Sequence, residues 1–182
     1  QAEDGIRDAQ ESRGLGDVYK RQILTFGIVI AVIVILLVSF GSSDGNRYVY
    51  KGNMTYQAVD IKSKEYQCSE CNMDVEELNY AAQLIAKNGN TYFFDDIGCV
   101  VLWLENHSPD TQVILTQTLD THLWIDATKA WYSRIAPSPM GYGFAAVENK
   151  KEGLIDYEEM KLLMLQGKNL HDPFVKKKLL GK

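Results

Sequence analysis

The sequence predicts an α+β domain preceded by one N-terminal transmembrane helix. Residues 23–40 form an apolar run without a single charge. At about 1.5 Å per residue, a helix of this length nearly spans a hydrocarbon core of roughly 30 Å. The rest of the chain alternates strand-like runs with amphipathic helical runs, a pattern typical of helices packed on an antiparallel sheet.

The chain divides into five segments by composition. We expect residues 1–22 to be non-native or disordered, 23–40 to form the membrane anchor and 41–53 to be a linker. Residues 54–170 form the soluble domain, and 171–182 a basic tail. A cleaved signal peptide has a shorter apolar core and a small-residue cleavage site, so an uncleaved anchor is favoured. Lys20 and Arg21 precede the run, which places the domain outside the cytoplasm if these two residues are native.

Composition also restricts the classes of partner and activity. The chain is 46% hydrophobic with four prolines, as in an ordinary folded protein. Its net charge is −5, and no basic cluster is interleaved with aromatic residues, so nucleic acid is not an expected partner. The basic run 176–178 is expected to be a solvated chain end. Because no nucleophile and base set or phosphate-binding loop is evident, we expect a protein that is not an enzyme.

The first half of the domain is predicted to be a hairpin followed by a helix. Residues 54–61 are a strand candidate. Asn88-Gly89 between the runs 81–86 and 91–94 is a hairpin signal. Asp95 or Asp96 can then cap a helix over "IGCVVLWLENH", whose apolar residues fall on one face.

The second half repeats this order. "TQVILTQTL" (111–119) and "HLWIDA" (122–127) are strand-like, "TKAWYSRI" (128–135) is ambiguous, and residues 141–149 are predicted as a strand. "DYEEMKLLMLQGK" (156–168) is an amphipathic helix, with Ile155, Met160, Leu163 and Met164 facing inward. The sequence therefore predicts two small β-β-α halves that share a core, the second hairpin starting at "HLWIDA".

Sulfur is concentrated in "QCSECNMDV" (67–75), which holds Cys68, Cys71 and Met73. A disulfide is one interpretation outside the cytoplasm, but so small a loop gains little stability from it. A thiol-disulfide oxidoreductase using Cys68 and Cys71 is a second interpretation. It requires an exposed cysteine at a helix N-terminus, and the aromatic and Gly-Pro residues that flank such redox loops are missing.

Two metals are further alternatives. A zinc-stabilised interaction module could use Cys68, Cys71, Cys99 and His107, although this spacing matches neither a finger nor a ribbon. Cu(I) is favoured by soft sulfur, and a thioether such as Met73 suits it better than it suits zinc. Met140 lies in the Gly/Pro-rich loop "PSPMGYG" rather than on a helix face, so it is a second thioether candidate.

Other residues are weighed against structural roles. Cys99 lies on a predicted helix, where we expect a small buried side chain rather than a metal ligand. His122 lies in a strand-like run, where its imidazole could be a ligand or a polar surface group. Both remain candidates for completing a metal site. His107 suits the end of its helix as a cation, and His171 in the tail is given no role.

Four motifs in order, "CSECNMDV", "YAAQLIAKNGNTYFFDDIGC", "WIDATKAWY" and "SPMGYGFAAV", resemble the NosL family, accessory proteins of nitrous oxide reductase. The resemblance covers about residues 67–147 and implies paired β-β-α-type halves related to part of organomercurial lyase. It also implies a membrane-attached periplasmic Cu(I)-binding protein. Such a protein passes copper towards apo nitrous oxide reductase together with a copper-delivery transporter and a periplasmic partner.

Residue by residue, the family's cysteine–methionine motif falls on Cys71 and Met73, with Cys68 preceding, and its "PMG" falls on Met140. The resemblance therefore implies metal binding by these four residues. Family members are typically lipoproteins, whereas this chain carries an apolar helix. The expected localisation, anchored in the inner membrane with the domain facing the periplasm, is the same.

Overall fold

The computed structural model describes residues 19–36 and 47–181, which belong to two separate units. In the first unit, helix α1 covers Tyr19–Leu36 and is exposed along its whole length. Its length and apolar composition fit a membrane anchor, and also a signal sequence. The helix begins four residues before the predicted run, while residues 1–18 and 37–46 of the predicted segments lie outside the described part of the chain.

The second unit is an α+β domain, as predicted. A five-stranded antiparallel sheet has the order β1-β3-β2-β4-β5, and a separate two-stranded sheet pairs β6 with β7. The strands are β1 (Val49–Tyr50), β2 (Ala82–Ala86), β3 (Thr91–Phe94), β4 (Thr111–Gln117), β5 (Trp124–Asp126), β6 (Trp131–Ser133) and β7 (Ala145–Val147). The helices are α2 (Ile97–Asn106), α3 (Tyr157–Leu165) and α4 (Pro173–Leu180), with 3₁₀ turns at Leu78–Tyr80 and Ala127–Lys129.

The first predicted half is confirmed. β2 and β3 form the hairpin, and Gly89 in its turn has a φ of 79°, a conformation that glycine adopts without strain. Asp96 caps α2 because its Oδ1 accepts a 2.8 Å hydrogen bond from the Gly98 N–H. Ile97, Val100 and Val101 are then buried against the sheet.

The second half is also strand, strand, helix, but its first strand was wrongly predicted. β6 and β7 form the hairpin, and Asp156 caps α3 through the Glu159 N–H. "HLWIDA" instead supplies β5, which pairs with β4 and extends the large sheet. The alternating pattern of this run predicts a strand but does not predict which strand it pairs with. In the structure the partner is β4.

The predicted strand at 54–61 is wrong, since this segment is irregular. The buried Gln83 side chain takes the place of a partner strand: its Oε1 accepts from the Val59 N–H at 2.9 Å, and its Nε2 donates to the Val59 carbonyl at 2.8 Å. One side-chain amide thus satisfies both backbone groups of Val59.

The ends of the domain differ from the predicted segments as well. Val49 and Tyr50, inside the predicted linker, pair with Tyr92 and Thr91 of β3. In the predicted basic tail, Asp172 caps the well-formed helix α4. The described parts of both segments, 47–53 and 171–181, therefore belong to the folded domain.

Candidate metal centre

Three thiols and one carboxylate converge at one end of the large sheet. One ligand atom from each of Cys68, Cys71, Asp95 and Cys99 lies within 4.8 Å of every other. All three cysteines are free. Cys68, Cys99 and Asp95 are buried, and Cys71 is half-buried. The cluster therefore has one face that ligands can reach, at Cys71.

A tight turn presents the first two sulfurs. The Cys68 N–H donates to the Met73 carbonyl at 2.8 Å, and the Asn72 N–H donates to the Cys68 carbonyl at 3.0 Å. Asn72 has a φ of 63°, in the left-handed region that asparagine tolerates better than most residues. The Ser69 N–H donates to the Phe93 carbonyl of β3, so the turn is fastened to the sheet.

Arg47 clamps the base of this turn. Its Nη2 donates to the Lys64 carbonyl and, at 3.0 Å, to Oδ1 of Asp74, while its Nε donates to the Glu65 carbonyl at 3.3 Å. The Arg47 carbonyl in turn accepts from the Gln67 N–H at 2.9 Å. One guanidinium thus joins both sides of the segment that carries Cys68 and Cys71.

The other two donors come from the start of α2. Asp95 directly precedes the capping Asp96, and Cys99 lies in the first turn of α2, where their ligand atoms come within 4.8 Å of each other. The Cys71 sulfur lies 3.5 Å and 3.6 Å from the two Asp95 carboxylate oxygens. The cap of α2 and the turn at Cys71 therefore build the cluster together.

The hydrogen bonds inside the cluster separate the acidities of its members. Bonds from the Cys68 and Cys99 thiols lower the pKa of Cys71 to about 4. Hydrogen bonds of Cys99 with Cys68 and Cys71, together with burial, raise the pKa of the Cys99 thiol. Burial raises the pKa of Asp95 to about 6, with the nearby Cys68 as the next cause. Of the two thiols with shifted acidity, Cys71 loses its proton first and offers a thiolate, the form that binds metal.

Tyr142 packs against the start of α2, near the centre. A Cβ placed on Gly98 would lie 2.5 Å from Cδ2 of the Tyr142 ring, so the ring packs directly on the backbone of α2. Burial raises the pKa of Tyr142 well above its ordinary value, and the nearby Cys99 and Asp96 add to this effect. Tyr142 thus stays neutral where it packs on the first turn of α2.

The loop that carries Met140 is held by the residues before α4. The Met140 carbonyl accepts a 2.6 Å bond from Nε2 of His171, and the Leu170 N–H donates to the Tyr142 carbonyl at 3.0 Å. The ring centroids of His171 and Tyr142 are 4.8 Å apart. His171, for which no role was predicted, therefore holds this loop in place.

The predicted site residues are distributed unevenly. Cys68, Cys71 and Cys99 lie in the cluster. Met73 belongs to the same turn through its backbone, and its side chain is 49% exposed. Met140 is half-buried and packs against the core that contains Cys68 and Cys99.

Both predicted histidine candidates have other contacts. His122 lies in the turn between β4 and β5, and its Nδ1 is 3.0 Å from Oδ1 of Asn79. His107 follows α2, where its ring stacks on Trp103 with the centroids 4.3 Å apart.

Asp95 was missed as a member of the cluster. The sequence explains the pair Asp95-Asp96 by helix capping, and Asp96 does cap α2. The remaining carboxylate lies outside the helix, between β3 and the capping Asp96, so no helical spacing to Cys99 could have identified it.

No family model matches the chain, and no curated protein matches it. The solved structures to which the chain is similar include one described as the copper chaperone NosL from Shewanella denitrificans. The two chains are 17% identical, the match covers 57% of this chain and 94% of NosL, and the TM-score is 0.46. A likeness of this extent supports no statement about function, which we base on the cluster and on the four motifs.

The donor set defines what the cluster can do. Three sulfurs suit a soft monovalent ion such as Cu(I), which accepts two to four ligands. Three sulfurs with one carboxylate oxygen form an S₃O set that also suits tetrahedral Zn²⁺. These donors are therefore suited to metal binding by thiolate.

Proposed function

We propose that this chain is a membrane-tethered metallochaperone that binds one Cu(I) ion and passes it on for the maturation of nitrous oxide reductase. The observation that carries the proposal is the convergence of Cys68, Cys71 and Cys99 within 4.8 Å. The four sequence motifs support copper as the cargo. α1 serves as the anchor, with the domain in the periplasm.

The geometry suits transient binding. Cys68 and Cys99 are fully buried and hold the ion, whereas Cys71 is half-buried and lies in a turn whose Met73 is exposed. An acceptor that offers sulfur or imidazole can therefore reach the ion from the Cys71 side and replace one ligand at a time. Met73 is positioned in sequence to supply a thioether on this side, and Met140 is the second thioether candidate.

X-ray absorption of the reduced, Cu(I)-loaded protein tests the proposed site. We expect the copper to be surrounded by sulfur in wild type, with one sulfur fewer in Cys99→Ser. A copper ion with only oxygen or nitrogen neighbours would contradict the site. For the pathway, we expect cells that lack the protein to produce nitrous oxide reductase with less copper, and the cysteine variants not to restore it.

Zinc is the second candidate, favoured by the Asp95 carboxylate beside the three thiols. In this case the ion stabilises the fold and the domain acts as an interaction module. Metal content after expression in zinc-rich medium, and unfolding on chelation, would identify it.

A disulfide oxidoreductase is the third candidate, and the low pKa of Cys71 favours it. However, Cys68, the first cysteine of the pair, is fully buried, and the pair lies in a turn rather than at a helix N-terminus. Insulin reduction with turnover would establish this activity.

A further inference from the structure

The most exposed large apolar side chain of the described domain is Phe174, on α4. It is 86% exposed, although α4 is a regular helix with a cap at each end. The Asp172 carboxylate accepts from the Phe174 N–H at 2.8 Å, and Gly181 ends the helix with a φ of 69°. The aromatic ring is thus presented to its surroundings by an ordered element.

Lysines surround this ring on the helix surface. Lys177 and Lys178 follow Phe174 by three and four positions, which places all three on one face, and both lysines are exposed. We name this set the α4 face: Phe174, Lys177 and Lys178. Val175 and Leu179, four positions apart, are half-buried, so the opposite side of the helix is covered in part by the domain.

The segment around the α4 face is positively charged, whereas the whole chain has a negative net charge. Residues 166–182 contain five lysines and one acidic residue, the capping Asp172, whereas the whole chain has a net charge of −5. A bulky aromatic ring with flanking lysines is the pattern by which helices rest on anionic lipid. The ring enters the boundary between headgroups and acyl chains, and the lysines extend to the phosphates.

The same chain supplies a reason for this surface to meet lipid. α1 is long and apolar enough to cross a membrane. From Leu36 to Arg47 the chain has eleven peptide steps, which extend over at most about 40 Å. A tether of this length gives an effective concentration on the order of millimolar, so a weak surface contact becomes well populated.

We propose that the α4 face docks on the anionic phospholipid surface of the membrane that holds α1. The inference rests on the membrane attachment in the proposed function and is independent of the metal. Because His171 directly precedes the cap of α4 and holds the Met140 loop, docking restrains that loop relative to the bilayer.

The test uses the full chain in nanodiscs of phosphatidylcholine, with and without phosphatidylglycerol. Hydrogen exchange of the amides in 174–180 and acetylation of Lys177 and Lys178 are followed by mass spectrometry. We expect both rates to fall several-fold when phosphatidylglycerol is present, and to recover at high salt. The variant Phe174→Ser should abolish the difference between the two lipids in both measurements. Lys177→Glu/Lys178→Glu, which lacks the acetylated lysines, should abolish it in hydrogen exchange.

The matched control is Lys150→Glu/Lys151→Glu, an exposed lysine pair elsewhere in the domain, which should behave as wild type. Equal rates in both lipids, or an equal effect of the control pair, would overturn the docking. Incorporation of the chain into nanodiscs reports separately on the anchor, and Cu(I) titration of the same samples reports on the metal centre. Failure of the docking is thereby distinguished from failure of the proposed function.

Discussion

The sulfur of Cys71 lies 3.5 Å from Oδ1 of Asp95, so a soft and a hard donor face the same small space. The three thiols alone provide a complete set for Cu(I), while the carboxylate adds the fourth ligand that a divalent ion requires. Replacing the carboxylate therefore separates the two metals.

For Asp95→Asn, we expect Cu(I) affinity to change by less than about threefold and Zn²⁺ affinity to fall by at least about tenfold, equivalent to about 1.4 kcal/mol. Competition titrations with a Cu(I) and a Zn²⁺ indicator measure both values. Asp110→Asn, which alters an exposed ion pair with Lys87, is the matched control. A tenfold loss of Cu(I) affinity in Asp95→Asn alone would show that the carboxylate holds copper.

For Cys99→Ser, we expect Cu(I) affinity to fall by at least about tenfold, because two sulfurs remain where three converged. Ala130→Ser introduces a hydroxyl at another buried position of the same core and controls for lost stability. Thermal unfolding of the apo proteins verifies that both variants fold. Wild-type affinity in folded Cys99→Ser would show that this thiol only fills space.

The clamp at Arg47 predicts that lysine cannot replace arginine. An ammonium group can retain the contact with Asp74 but cannot serve both the Lys64 and Glu65 carbonyls in a fixed fork. We expect the Cys68 and Asn72 amides to exchange hydrogen faster in Arg47→Lys than in Asp74→Ala. We also expect Cu(I) to be released faster from Arg47→Lys than from Asp74→Ala.

The opposite ranking, with Asp74→Ala more severe than Arg47→Lys, would mean that a simple ion pair holds the turn. Hydrogen exchange of the apo protein measures the turn without metal. Lys87→Ala, which removes an exposed ion pair elsewhere, should leave both rates unchanged.

Asp120 makes folding stability depend on pH. Although burial opposes ionisation, hydrogen bonds from the Glu148 N–H and from both nitrogens of Asn149 lower its pKa to about 2. The unfolded carboxyl has a pKa of about 3.9. The stabilisation is therefore fully present above about pH 4 and is lost as the pH falls through about 2.

Asp120→Asn should consequently lower the unfolding midpoint at pH 6, and this difference should shrink at pH 2.5. Asp110→Asn, whose carboxylate is in an exposed ion pair, is the control. A difference between wild type and Asp120→Asn that is independent of pH would contradict the ionised contact.

Local signals predicted most of the elements. The Asn88-Gly89 turn, the capping aspartates and the apolar spacing of α2 each act within a few residues, so the sequence displays them directly. The same holds for α3, where Met160 and Met164 are buried as predicted, while Ile155 and Leu163 are half-buried.

Contacts between distant residues explain the failures. The backbone of Val59 pairs with the side chain of Gln83, twenty-four positions away, and no local pattern indicates such a partner. Similarly, the partner of Trp124–Asp126 depends on which sheet edge is free. His171 reaches Met140 only because the chain returns after α3.

The candidate site shows the same division. The spacing of Cys68 and Cys71 is visible in the sequence, whereas Cys99 joins them only when the start of α2 is packed against their turn. Asp95 was not predicted as a ligand, because helix capping by Asp96 already explains a carboxylate at the start of α2.

Cu(I) titration of the reduced protein against a chromophoric chelator measures directly whether the cysteines bind copper. We expect one Cu(I) ion per chain in wild type and binding lost in Cys68→Ser/Cys71→Ser. Wild-type protein that binds Cu(I) no better than the double variant would contradict this expectation.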